Sequence, residues 1–251
     1  MKKTGSIAIT IAAALCGLLG SAVRGVAAET ADAKTQSTAI PRMPDGTPNL
    51  NGFWEHPFVP DVTKDGKDQK GVAELPYTEW GANDFKNYDP AKFDYTGHCL
   101  PFGLMRSMNG GGYPIQIVQY GKYLAMLFEQ SNWFHVVALG RDHPKQLEPT
   151  WFGDSIGKWD GDTLVIDTIG SNGQTRIDTI GHPLTDQLHI IERINFADIN
   201  HLNYEVTVID PKAYTKPWKN TRIFTRMKPG DELIEYSCEE NNTDFTHGHI
   251  K

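Results

Sequence analysis

The chain has 251 residues, with 31 Asp and Glu against 24 Lys and Arg and a formal net charge of −7 at pH 7. Loss of residues 1–28, argued below, removes Lys2, Lys3 and Arg24 and no acid, which moves that charge from −7 to −10. So acidic a protein repels nucleic acid and anionic membrane, and neither is expected as a partner.

Lys2 and Lys3, the apolar stretch Ile7 to Leu19 and the small residues Val26-Ala27-Ala28 predict a secretory signal over 1–28, cut before Glu29. The apolar run is shorter than the ~20 residues a span needs, so no membrane anchor is expected once the signal is gone. Leu15 before Cys16 argues against lipidation. A periplasmic or secreted protein is the expectation. Residues 29–45 are polar and predict a flexible lead-in. Residues 46–251 are expected to form a single domain, and its oligomeric state stays open.

Pro44-Asp45-Gly46-Thr47-Pro48 is turn chemistry, and a first strand is predicted over Gly52 to Glu55. Pro57 to Lys70 is polar and predicts a loop. Thr78 is placed to cap a short helix reaching Tyr88, with Glu79 at its positive end. Asp89-Pro90 predicts its stop. Gly97 to Gly112, with five Gly and one Pro, predicts irregular chain.

Strands are then predicted over Tyr113–Tyr120, Lys122–Glu129, Asn132–Leu139, Lys158–Trp159, Thr163–Thr168, Leu188–Phe196, Leu202–Ile209, Thr221–Arg226 and Glu232–Cys238. Trp151–Phe152 adds a short candidate. Asp160-Gly161 and Pro229-Gly230-Asp231 supply hairpin turns. Short strands punctuated every 8–12 residues mark an all-β barrel or sandwich. The expected fold is an all-β, antiparallel barrel with an N-terminal arm and one short helix. Gly52-Phe53-Trp54 ahead of this meander resembles the opening of lipocalin-type barrels, in which the Trp plugs one end. Barrels of about eight strands are just wide enough to hold one small ligand.

Cys99 and Cys238 survive signal removal, and an oxidising compartment favours their pairing. The bridge would close a loop of about 140 residues, on the order of 4–5 kcal/mol in the loop-entropy account. Two separately buried thiols are the alternative.

Alternate residues of a strand share a face, so Leu188, Ile190, Glu192, Ile194 and Phe196 line up with Glu192 as the polar exception. A buried carboxyl has a raised pKa and suits acid or base work near neutrality. An internal ion pair with Arg222 or Arg226 is the structural alternative. Glu129 repeats the pattern at a strand end beside Tyr123, Ala125 and Leu127. His135 lies between Trp133 and Val137 on its face. Asp178 and His182 stand in one loop, where the carboxylate can fix the imidazole tautomer and leave the other nitrogen as a base. His143, in another connecting loop and likewise followed by Pro, is expected to join them.

Other chemistries lack support. No Gly-rich loop follows a strand and opens a helix, so no nucleotide or other cofactor is expected. No Cys-x-x-Cys or helical His-x-x-x-His motif is present, a three-His set of His143, His182 and His189 has no supporting spacing, and no metal is expected. Gly153-Asp154-Ser155-Ile156-Gly157 has nucleophile-elbow spacing without the strand and helix that elbow needs. The Trp residues at 54, 80, 133, 151, 159 and 218 favour a small apolar or aromatic molecule as partner.

Asp45-Gly46-Thr47-Pro48-Asn49-Leu50-Asn51-Gly52-Phe53-Trp54, Cys99-Leu100-Pro101, the stretch Gly157 to Thr168 and Glu235-Tyr236-Ser237-Cys238-Glu239-Glu240-Asn241 resemble a family of exported, mostly uncharacterised bacterial proteins. That resemblance implies no activity and assigns no residue. The residues themselves point to a cofactor-independent lyase or isomerase of a hydrophobic or aromatic metabolite. In this reading His182 is the base, Asp178 orients it, Glu192 is the acid and Arg106 steadies an oxyanion. Glu129, Trp133, His135 and His143 would line the ligand. A binding or carrier protein without turnover is the alternative.

Overall fold

The structure is a computed structural model and describes residues 39–109 and 112–240. The expected signal, the lead-in before residue 39, Gly110-Gly111 and the last residues with His247 and His249 lie outside them. Of the lead-in's described part, Arg42 grips Asp162 through two contacts of 2.5 and 2.7 Å.

Ten strands form one sheet: β1 (Gly52–Glu55), β2 (Gln69–Lys70), β3 (Ile115–Tyr120), β4 (Tyr123–Phe128), β5 (Phe134–Leu139), β6 (Asp154–Asp160), β7 (Thr163–Ile169), β8 (His189–Asp198), β9 (His201–Ile209) and β10 (Trp218–Arg226). Nine of them close a barrel in the order β1, β3 through β10 and back to β1, while β2 lies on β10 beyond β1. All neighbours are antiparallel except β5 and β6, so the barrel is mixed rather than wholly antiparallel. The long connection 140–153 crosses back before β6 begins, which is what a parallel neighbour requires.

The expected helix forms as α1 (Glu79–Asn87), its first turn capped by Thr78 Oγ1, which accepts from the Gly81 N–H at 3.0 Å. One helix was too few. Asp89-Pro90 ends α1 and at once starts α2 (Pro90–Phe93), Asp89 capping it with Pro at its first position. The segment expected to be irregular contains α3 (Gly103–Asn109), every residue of which is buried. Its glycines sit at and beyond its ends, so Leu104, Met105 and Met108 still make a continuous apolar face. Glu232–Cys238 is not a strand. The free edge it would need is taken, because β1 and β2 occupy the side of β10 that β9 leaves open.

Inward residues of the barrel and the apolar residues of α3 form one core, with Leu124, Met126, Ile166, Ile190, Val206 and Phe224 packed in the same cluster as Leu104, Met105 and Met108. A buried helix therefore takes up part of the barrel interior. Arg222 of β10 ties the two together by donating from Nη1 to the Met108 carbonyl at 2.7 Å. Trp54 is fully buried, donates to the Leu50 carbonyl at 3.0 Å and carries the Arg226 guanidinium 4.1 Å from its ring centre. Among the described residues no helix is long and apolar enough to cross a membrane.

Candidate functional site

The loop after β7 brings Asp178 and His182 together. The chain turns back on itself between Ile177 and His182, with Ile177 N–H donating to the His182 carbonyl at 3.0 Å. Gly181 makes the turn: its φ is +93°, and a Cβ there would collide with the Tyr88 ring. Nδ1 of His182 lies 2.5 Å from Asp178 Oδ2. A carboxylate only accepts, so Nδ1 is the donor and the tautomer leaves Nε2 as the basic atom.

Asp178 is completely buried, and its oxygens also accept from the N–H groups of Val62 (2.9 Å), Gly181 (3.1 Å) and His182 (3.2 Å). The loop 60–62 is clasped to this turn, since the Pro60 carbonyl accepts from Thr179 Oγ1 at 3.0 Å. Beyond His182, Tyr214 donates to the Pro183 carbonyl at 2.8 Å, and Asp210 accepts from the Thr185 N–H at 2.6 Å.

Two further groups face the pair, and sequence reading passed over both. Asp61 shares a small polar site with them: one ligand atom from each of Asp61, Asp178 and His182 lies within 4.8 Å of the others. Both Asp178 oxygens are already engaged by donors, one of them the His182 imidazole. Tyr77 has a buried hydroxyl with no partner among the described residues, and burial next to Asp178 and Asp61 holds its pKa well above the usual phenol range. Its ring stacks on His182 at 6.2 Å, and Phe85 of α1 stacks closer, at 4.4 Å. The one local signal for Asp61 was Asp-x-Thr, the side-chain turn it makes with Thr63.

Glu192 faces the barrel interior as its strand alternation predicts and is fully buried. Tyr204 donates its hydroxyl to Glu192 Oε1 at 2.8 Å, and Oε2 has no partner. Burial pushes the carboxyl up to about 7, against the opposing pull of Tyr204 and Arg222. Arg222 is itself lowered to about 10 by burial, and one of its terminal nitrogens is unpartnered. Its bonds go to Asn220 and Met108 rather than to Glu192. Arg226, the other expected ion-pair partner, packs on Trp54.

The remaining expected site residues separate. Arg106 is buried on α3 and pairs with Asp94 at 2.7 Å, between the rings of Tyr95 and Phe102. Its charge is paired there with the Asp94 carboxylate. Glu129 accepts from the Ile234 N–H at 2.9 Å and so anchors the tail instead of a ligand. The face it was grouped with points outward, since Leu124, Met126 and Phe128 are the buried positions of β4. His143 lies on the outer surface between Asp154 (2.6 Å) and Asp167 (3.1 Å), away from the partners of His182, and His189 meets the same Asp167 oxygen at 2.9 Å. Trp133 and His135 do come together, at a groove considered below. Cys99 and Cys238 stand at disulfide distance, with Cα atoms 5.6 Å apart.

No family model matches this chain and no curated protein matches it.

Proposed function

We propose that the protein is an exported, cofactor-independent acid–base enzyme, a lyase or isomerase of a hydrophobic or aromatic metabolite, with His182 as its base. The observation that carries this reading is the Asp178–His182 contact, made by a carboxylate that four donors hold in place. Nε2 of His182 takes a proton from carbon or oxygen of the substrate, and Asp178 stabilises the imidazolium that results. Tyr77, kept protonated by its surroundings, donates to the oxygen on which negative charge develops. Glu192 and Arg106 are left out of this step, because their partners are Tyr204 and Asp94. The paired cysteines and the Lys2-Lys3 apolar leader support export.

The test is solvent exchange. Carbonyl and hydroxyl aromatic compounds with an acidic C–H are incubated with the protein in D2O, and deuterium uptake is followed by NMR. His182→Ala is expected to lower uptake by about 10²–10⁴-fold, and Tyr77→Phe by a smaller factor. Uptake that is unchanged in both variants overturns the enzyme reading. A second reading, a binding protein without turnover, is favoured by the stacking of Phe85 and Tyr77 on His182, which is only 2% exposed. It predicts no uptake in the wild type, with ligand still retained.

A further inference from the structure

The barrel wall is incomplete at one place. β5 pairs with β4 from Phe134 to Ala138, but with β6 only over Val137–Leu139. The chain that should continue the second pairing is drawn elsewhere. Thr150 N–H donates to the Gly170 carbonyl at 3.0 Å and Asn172 N–H to the Thr150 carbonyl at 2.8 Å, so residues 150–152 follow the end of β7 and stand off from β5. Gly153 makes the bend back into β6 with φ +75°. A groove of about 350 Å³ results, lined by Trp133, Phe134, Val136, Trp151 and Phe152, with His135 at its inner side.

This groove has three features that a plain surface dent lacks. Phe134 and Val136 are 62% and 46% exposed on it, apolar surface that none of the described residues covers. His135 is 2% exposed, yet among the described residues neither of its ring nitrogens has a partner, and the buried indole N–H of Trp133 also has none. Among the described residues no Asp, Glu, Lys or Arg lines the groove, and burial pushes the His135 imidazole down to about 4, so it is neutral at physiological pH. A neutral imidazole offers one donor and one acceptor, and an indole offers one donor. Phe152 lies edge-on to the His135 ring, with centroids 6.2 Å apart, and stands between the groove and the inward-facing imidazole.

We infer that this gap between β5 and the start of β6 binds an uncharged aromatic molecule carrying a hydroxyl, its ring lying among Trp133, Trp151 and Phe152 and its hydroxyl bonded to His135. A hydroxyl both donates and accepts, so it answers either nitrogen of the imidazole, whereas a carboxylate or ammonium would enter a neutral site with no counter-charge. Aromatic lining with a few placed polar groups is the usual make-up of small-ligand sites. The inference is independent of the His182 reading, because the groove shares no residue with that site.

The probe is naphthol, compared with naphthalene and naphthoate by equilibrium dialysis on the full chain. The wild type is expected to hold naphthol at least about tenfold more tightly than either analogue, the worth of one well-made hydrogen bond. His135→Phe is expected to retain naphthalene and lose the preference for naphthol. Val136→Asp, at an exposed position that leaves the core untouched, is expected to abolish binding of both and keeps the test valid if the His135 variant does not fold. His182→Ala is expected to bind naphthol as the wild type does, so loss of exchange activity in that variant with intact binding separates the two readings. Equal binding of naphthol and naphthalene by the wild type, naphthol preference surviving in His135→Phe, or loss of binding in His182→Ala overturns the inference.

Discussion

Tyr204 donates its hydroxyl to Glu192 Oε1 at 2.8 Å inside the barrel, and the second carboxyl oxygen meets no donor among the described residues. The pair joins neighbouring strands β8 and β9 and makes the fold sensitive to pH.

Burial raises Glu192 from 4.5 to about 7. Between those values the unfolded chain has released this proton while the folded one keeps it, so the carboxyl makes stability fall as pH rises through that window, by about 3 kcal/mol in all. Glu192→Gln keeps an acceptor for Tyr204 and cannot ionise. It is expected to be more stable than the wild type by up to that amount at pH 8 and equal to it at pH 4. Urea titrations at the two pH values check this, and equal stability at pH 8 would remove Glu192 as the cause.

His56 and His135 work in the opposite direction. Burial pushes both down to about 4 from 6.5, with Arg222 adding to the effect on His56. Below pH 6.5 the unfolded state binds protons that these folded imidazoles refuse, so stability falls as pH drops from 6.5 toward 4. Histidine NMR at pH 5 is expected to show both rings neutral in the folded protein. A charged ring at either position contradicts the burial described.

Asp178 accepts three backbone N–H groups besides the imidazole. Asp178→Asn replaces one acceptor by a donor and sets it against a donor, an expected loss of about 2–4 kcal/mol. His182→Ala leaves the backbone donors satisfied and is expected to cost less. Denaturant midpoints for the two variants check the order.

Gly181 combines φ +93° with a position at which an added Cβ would collide with the Tyr88 ring. Gly181→Ala is expected to cost more than about 2 kcal/mol, from the left-handed backbone and the collision together. In a Tyr88→Ala background only the backbone part remains. The double variant is therefore less destabilised than the sum of the singles, and a double-mutant cycle measures the difference.

The Cys99–Cys238 pair closes a loop with a sequence separation of 139. Replacing both by Ser is expected to lower stability by about 5 kcal/mol in the loop-entropy account. The same drop is expected on adding a thiol reductant to the wild type, read as a lower guanidinium midpoint. A reductant effect that persists in the double Ser variant would place its origin elsewhere.

The barrel itself was legible because its signals are local. Period-two alternation places Ile190, Glu192 and Ile194 inward, Asp160-Gly161 turns a hairpin, and Thr78 caps α1. The Asp178–His182 pair was legible for the same reason, since its members stand four positions apart across one turn. What escaped depends on which segments meet. α3 is only seven residues long, too short for periodicity to distinguish it from a glycine-rich loop. Glu232–Cys238 has the composition of a strand and is none, because β1 and β2 already hold the edge it would need.

The amino-acid sequence alone determined which side chains face inward along each strand, because that alternation is a property of the chain. Only the folded barrel decided which of those side chains are neighbours. It set Arg106 against Asp94, Tyr77 against His182 and an unpartnered His135 beside a gap in the wall. Those meetings depend on closure between residues more than a hundred positions apart in places, as Arg222 and Met108 are, and no short-range pattern encodes them.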